Sequence, residues 1–251
     1  VKRQAFLMAC GILFSSINTA QSETIDHAHQ YHACMELVRN APEEAFDSAL
    51  TWKSLGGGEA AEHCIGTALI NMKRYKTGAE RLEELADYSR RPKEFKAQIL
   101  AQAAQGWFLA DELDRARAVL TTAITLDQHN ANLYVDRAHI RSTQHHYKDA
   151  LDDLNKAITL HKAHVDAFVF RGTIYRLTEE FEKALNDINH ALTLDPSHSE
   201  AYLERGMLHR IDHKNDLARK DWLAAIELAP NSDTAETARL NLEKMDLAVT
   251  E

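Results

Sequence analysis

The sequence predicts an all-α fold, a solenoid of stacked helix hairpins, on three observations. Alanines recur every 34 residues at Ala116, Ala150, Ala184 and Ala218, and again at Ala123, Ala157, Ala191 and Ala225. Self-similarity at such a period marks a chain built from repeated supersecondary units. Each repeat holds two stretches with apolar or small residues at three- and four-residue spacing, split by polar turns such as Gln144-His145-His146 and Thr178-Glu179-Glu180. That spacing is the period of an amphipathic helix. Finally, the 251 residues are 45% hydrophobic and 27% charged with only 9 Gly and 4 Pro, the composition of a folded, largely helical chain.

From the N-terminus, residues 1–22 read as a cleaved secretory signal. Lys2 and Arg3 precede an apolar run from Ala5 to Phe14, and small residues follow around Ala20 and Ser22. The run is shorter than the roughly 18 residues that a retained membrane span needs. Leu7-Met8-Ala9-Cys10-Gly11 offers the weaker alternative of a lipoprotein anchored at Cys10, weaker because few apolar residues precede the cysteine. Either reading exports the protein, and a periplasmic location is expected. The net charge is −9, and loss of Lys2 and Arg3 makes the remainder more acidic still. Nucleic acid and anionic membrane are therefore poor partners. Cys34 and Cys64 remain after cleavage. An even count in an oxidising compartment points to a disulfide, the alternative being two buried thiols. No C-x-x-C motif supports a redox role.

Residues 23–58 form a degenerate hairpin with Ala33, Ala45 and Ala49, and Gly56-Gly57-Gly58 is read as its break from the next. Block 59–92 keeps the repeat frame through Gly66, Leu69, Tyr75, Gly78 and Leu82, and four extra residues, 93–96, follow it. Blocks 97–130, 131–164, 165–198 and 199–232 carry the frame most fully. They share Leu126, Leu160, Leu194 and Leu228, the small residues Ala104, Ala138, Gly172 and Gly206, and aromatics at Tyr134, Phe168 and Tyr202. Pro196 and Pro230 end two of the repeats. Within residues 233–251, read as the capping helix that a solenoid needs at its end, the stretch from Thr234 to Val249 is amphipathic, with Ala235, Ala238, Leu242, Met245 and Val249 on one side.

This order of large, small, aromatic, Ala and Pro positions resembles the tetratricopeptide repeat, most fully in 165–198. The resemblance implies a right-handed superhelix whose concave surface is built from the first helix of each hairpin and holds a peptide or protein segment. Carried onto this chain, the lining is Gln105, Val135, His139, Val169, Phe170, Thr173, Arg176, Leu203, Met207 and Arg210, with Ala101, Gln102, Phe108, Asp136, Ser142 and Glu204 beside them. Val135, Val169, Phe170, Leu203 and Met207 are expected as an apolar stripe, with Arg176 and Arg210 as charged markers. Family members that grip a C-terminal carboxylate use Lys and Asn at matching places. Here Gln, Ala, Val, His, Thr, Leu and Met stand there, which argues against that ligand.

An arginine occupies a core-facing position in three repeats, each time with an aspartate sixteen residues later: Arg137 with Asp153, Arg171 with Asp187, Arg205 with Asp221. Blocks 59–92 and 97–130 have neither partner, with Ile65 and Arg81 in one and Ala103 and Val119 in the other. Arginine and aspartate appear together or not at all, as structural ion pairs must when an unpaired buried charge is costly.

No nucleotide-binding, hydrolase, zinc-protease or calcium-binding motif is present. The expectation is a non-enzymatic scaffold without a cofactor, with self-association through an outer face as a structural variant. The alternative is a metal binder or enzyme accessory that uses His27, His29 and His32 near the mature N-terminus, where imidazoles three residues apart share a helix face. His161, His164 and His198, at block ends, are read as surface residues.

Overall fold

Helix follows helix through residues 26–247, the part of the chain that this computed structural model describes. The signal assigned to residues 1–22, with Cys10, lies outside it. The thirteen α-helices among the described residues are α1 (His27–Asn40), α2 (Pro42–Trp52), α3 (Gly58–Asn71), α4 (Tyr75–Tyr88), α5 (Lys93–Leu109), α6 (Leu113–Leu126), α7 (Ala131–Thr143), α8 (Tyr147–Leu160), α9 (Val165–Leu177), α10 (Phe181–Leu194), α11 (Ser199–Ile211), α12 (Asn215–Leu228) and α13 (Asp233–Leu247). Strands are absent among the described residues. Six consecutive hairpins, α1/α2 to α11/α12, stack in order, and α13 packs on α11 and α12.

The packing order sets the curvature. Each first helix touches the first helix of the next hairpin, α3 to α5, α5 to α7, α7 to α9 and α9 to α11, while each second helix reaches the first helix that follows it. First helices that approach one another occupy the tighter, inner side of the stack.

Small residues make the hairpins close. A methyl group on Gly172 would stand 2.8 Å from Ile188 Cδ1 and 3.2 Å from the Ala184 carbonyl oxygen, and one on Gly206 would collide with the Trp222 indole. The turn inside the hairpins repeats as well. Lys73, Asp111, His145, Glu179 and His213 all adopt φ near +60° (58° to 62°), a left-handed residue at the first-helix end of five hairpins, α3/α4 to α11/α12, whereas α1 ends at Ala41 with φ −147°. None is glycine, although this conformation costs an ordinary residue about 1–2 kcal/mol. Bonds that close the turn offset the cost, as where Glu180 N donates to the Tyr175 carbonyl at 2.7 Å. Four of the five turns are 34 residues apart, and the wider gap between Lys73 and Asp111 contains the extra residues 93–96.

The arginines lie as their spacing implies, with more partners than the spacing could reveal. Arg171 holds Asp187 through Nε at 2.7 Å and Nη2 at 2.8 Å, and its Nη1 donates to Asn155 Oδ1 at 2.8 Å on the preceding hairpin. Arg205 does the same with Asp221 and Asn189, and Arg137 with Asp153 and Thr121. Each guanidinium also covers an aromatic ring three residues earlier, Tyr134, Phe168 or Tyr202, at 5.2–5.9 Å. One side chain thus ties two helices of its own hairpin and the second helix of the hairpin before.

Two histidines expected at the surface are structural. His164 is buried at the N-cap of α9, where Nδ1 accepts from Ala167 N and Nε2 bonds Asn132 Oδ1 at 2.8 Å. His198 caps α11 in the same way and bonds Asp166 Oδ1 at 3.0 Å. An imidazole with Nδ1 accepting keeps its proton on Nε2, so one ring satisfies a helix end and also reaches the preceding hairpin. His161, by contrast, is exposed.

At the N-terminal end, Cys34 and Cys64 form a disulfide with Cα atoms 6.3 Å apart, inside a cluster with Val38, Ala45, Ala49, Ile65 and Leu69. The triple glycine marks the break between α2 and α3: the chain kinks there, with Gly56 at φ +93° and Gly58 at φ +54°. Block 59–92 lacks the Arg–Asp pair yet is not uncharged within. Glu62 is buried on α3 and receives Lys53 and Arg81. Burial alone would raise its carboxyl, and the two cations outweigh it and lower the pKa.

Candidate functional site

Four hairpins present their first helices in register, so the inner face can be described by offset from the small residue: Ala104, Ala138, Gly172 and Gly206. Residues three before it turn toward the packed helices rather than the groove, Leu203 into a cluster with Ala218, Trp222 and Met245. Val135, Val169 and Leu203 are therefore core residues, 6%, 3% and 9% exposed, and the expected stripe loses these three members. The residues two before and one after the small position, three apart and hence on one side of the helix, line the groove: Gln102 and Gln105, Asp136 and His139, Phe170 and Thr173, Glu204 and Met207. One turn further on stand Phe108, Ser142, Arg176 and Arg210.

What remains apolar on this face is Met207 at the far end and a ladder that crosses three hairpins. The Phe108 ring lies 5.0 Å from the His139 imidazole, and His139 lies 5.3 Å from the Phe170 ring, both pairs tilted. These three side chains come from α5, α7 and α9. Though open on the groove side, the His139 imidazole is partly desolvated by the rings and helices around it, which holds its pKa below the ordinary 6.5 against a smaller upward pull from Glu200 and favours the neutral form as a third ring.

Depressions open on either side of the ladder's start. One, of about 430 Å³, lies between α5 and α7 and is lined by Gln102, Gln105, Phe108, Asp136 and His139. A second, of about 470 Å³, continues it toward α3 past Thr67 and Asn71, and shares Gln102 and Gln105. A third, of about 320 Å³, lies at the far end among Arg176, Met207, Arg210 and α13.

The two expected cationic markers are occupied. Arg176 grips Glu204 on the next first helix, Nε to Oε2 at 2.7 Å and Nη2 to Oε1 at 3.3 Å, and Arg210 donates to Asn215 Oδ1 at 2.9 Å. At the other end His63, on α3, links Gln102 Oε1 and the Tyr31 hydroxyl at 2.7 Å each, which fixes the amide beside the cavity.

Asp136 is the exception. Its carboxylate opens to solvent in the groove, and none of the hydrogen bonds or ion pairs among the described residues involves it. The surrounding helices displace much of the bulk water around it without supplying a donor, and this desolvation raises its pKa to about 6. A raised carboxyl pKa means that ionisation costs folding stability, a penalty absent below the unfolded value near 4 and complete above about pH 6. Asp136→Asn is therefore expected to stabilise the protein at pH 7.5 by about 1 kcal/mol, a figure reduced for the group's access to water, with no difference at pH 3.5. Thermal melts at the two pH values test this, and a destabilised variant at pH 7.5 would show instead that the carboxylate has a partner.

The N-terminal histidines do not converge. His27 accepts from Trp52 Nε1 at 3.1 Å and stacks on that indole, while His29 and His32 are exposed on α1. Among the described residues no group of three or more His, Cys, Asp or Glu side chains is placed to hold a metal ion. No helix among them is long and apolar enough to cross a membrane.

Residues 165–198 match the family model described as Tetratricopeptide repeat. Among solved structures, MamA from Desulfovibrio magneticus RS-1 is similar with a TM-score of 0.56 at 18% identity, over 70% of this chain and 97% of that one. YrrB, described as a TPR protein with an unusual peptide-binding site, is similar with a TM-score of 0.51 at 16% identity, over 71% and 90%. The APC/C hetero-tetramer Cut9–Hcn1 gives 0.64 at 13% identity, over 84% of this chain and 42% of that one. None of the curated proteins matches the chain. At these identities the likeness is one of fold.

Proposed function

We propose that the chain is a tetratricopeptide-repeat protein working as a non-enzymatic scaffold of the bacterial cell envelope, one that holds a peptide or protein segment along the inner face of its first helices. The observation that carries this reading is the Phe108–His139–Phe170 ladder, apolar surface left open across three hairpins and flanked by cavities. Rings held by neighbouring helices bind with little ordering cost, and aromatic anchors supply much of the affinity in such interfaces. The peptide-binding site described for YrrB, a chain of the same fold, supports the class of partner. Export rests on the N-terminal apolar run and is supported by the Cys34–Cys64 bridge, since structural disulfides persist in oxidising compartments.

Photo-crosslinking tests the groove. A benzophenone analogue of phenylalanine at position 170 is expected to trap a protein in cells that the same probe at the exposed, outward Lys183 does not trap. Adding Met207→Glu should reduce that adduct several-fold in a protein that still folds and is still exported. Equal adducts from both positions, or none from 170, would overturn the groove as the working surface.

A further inference from the structure

On the groove reading just given, we infer that the segment held there carries a lysine or arginine beside an aromatic, Leu or Met side chain, the cation seated on Asp136 and its apolar neighbour on the Phe108–His139–Phe170 ladder. The argument is one of charge left over. Of the two carboxylates at the groove-lining offsets, Glu204 is held by Arg176, whereas Asp136 has no partner. Of the guanidiniums on the first helices that line this surface, Arg137 and Arg141 are held by Asp153, Arg171 by Asp187, Arg176 by Glu204 and Arg205 by Asp221, while Arg210 stands at the far end of the groove beside Asn215. Neither lysine nor arginine lines the cavity that contains Asp136. Its neutral donors, Gln102 and Gln105, leave the carboxylate's charge uncompensated, and Glu200 adds negative potential that reaches His139.

Shape agrees with charge. The cavity of about 430 Å³ is bounded by Asp136 at one side and the Phe108 ring at another, with His139 one helical turn from the acid. Arginine suits such a place because its planar head stacks on rings while it bonds a carboxylate, and lysine because its long stem lies along apolar surface with the charge at the tip. A segment that placed a C-terminal carboxylate or an acidic side chain in this cavity would meet repulsion from Asp136, with neither lysine nor arginine in the lining to offset it. Exclusion of acidic partners is thus part of the same device.

A positional-scanning library of nonapeptides, N-acetylated and C-amidated so that neither end is charged, tests this on the full exported chain. Peptides retained by the wild-type protein are expected to be enriched in Lys or Arg at one position with Phe, Tyr, Leu or Met next to it. Replacing that basic residue in a retained peptide by norleucine or citrulline should weaken binding about tenfold. Asp136→Asn should erase this discrimination, and Asp136→Glu should keep most of it. Enrichment of acidic or neutral peptides, or a basic preference undiminished in Asp136→Asn, would overturn the inference and leave the groove reading standing. The same follows if no peptide is retained while the crosslink from position 170 still forms. Failure of both the library and the crosslink would overturn the groove reading as well.

Discussion

Replacing Arg171 with leucine is expected to cost about 3 kcal/mol of folding stability, and Asp187→Leu a similar amount, while the two together cost much less than their sum. The carboxylate of Asp187 is 12% exposed, and both of its oxygens accept from Arg171, at 2.7 and 2.8 Å. Without the guanidinium it would be left with too few donors in a place where water cannot replace them. Breaking a buried pair from one side typically costs about 3–5 kcal/mol, and the lower end applies because the Arg171 side chain retains 18% exposure. Removing both partners removes the desolvation problem. What the double variant still loses is the bond to Asn155 and the contact with the Phe168 ring. A denaturant-based double-mutant cycle should give a coupling of about 2 kcal/mol or more, and additive losses would refute a structural ion pair. The same pairing recurs at Arg205 and Asp221, whereas Asp153 keeps Arg141 when Arg137 is lost, so a smaller loss is expected in that hairpin.

The second large effect is expected at the other end of the stack. Changing Cys34 and Cys64 to serine should destabilise the first two hairpins by about 3–4 kcal/mol, the loop-closure value for a bridge between residues 30 apart. The loss should be local, because each repeat in a solenoid contacts only its neighbours and stability is close to a sum of unit and interface contributions. The cluster around the bridge is small and separate from the main core, with Val38, Ala45, Ala49, Ile65 and Leu69 as its chief members. Hydrogen exchange should then show α1 and α2 losing protection in the double-serine variant while α7 to α12 keep theirs. Unchanged protection of α1 and α2 would mean that the cluster and the Glu62 ion pairs hold the end without the bridge.

These two predictions rest on features of different legibility. The 34-residue recurrence fixes the helix pairs from 97 onward, because a helix hairpin places the same residue type at the same height in every copy. Arg–Asp pairing was readable for the same reason: an offset of sixteen spans one turn symmetrically, and the absence of both partners from two blocks exposed the dependence. Contacts between hairpins were not readable. Arg176 with Glu204, Arg171 with Asn155, His164 with Asn132 and His63 with Gln102 join residues on separate units, and no local rule sets their pairing. The buried Glu62 was missed because its cations, Lys53 and Arg81, come from a turn and a second helix outside the recurrent offset.

Sequence alone determined the all-α class, the hairpin period and the internal ion pairs, since these follow from periodicity within one unit and from the cost of an unpaired charge. Only the tertiary structure decided which side of each first helix is open. Val135 and His139 are one helical turn apart on α7, yet one is buried and the other exposed. Their spacing could not separate them, because the difference is made by the helices packed around α7, which enclose the first residue in the core and leave the second on the groove. The isolation of Asp136 has the same origin: a carboxylate lacks a partner only when every element around it has been placed and none brings a cation.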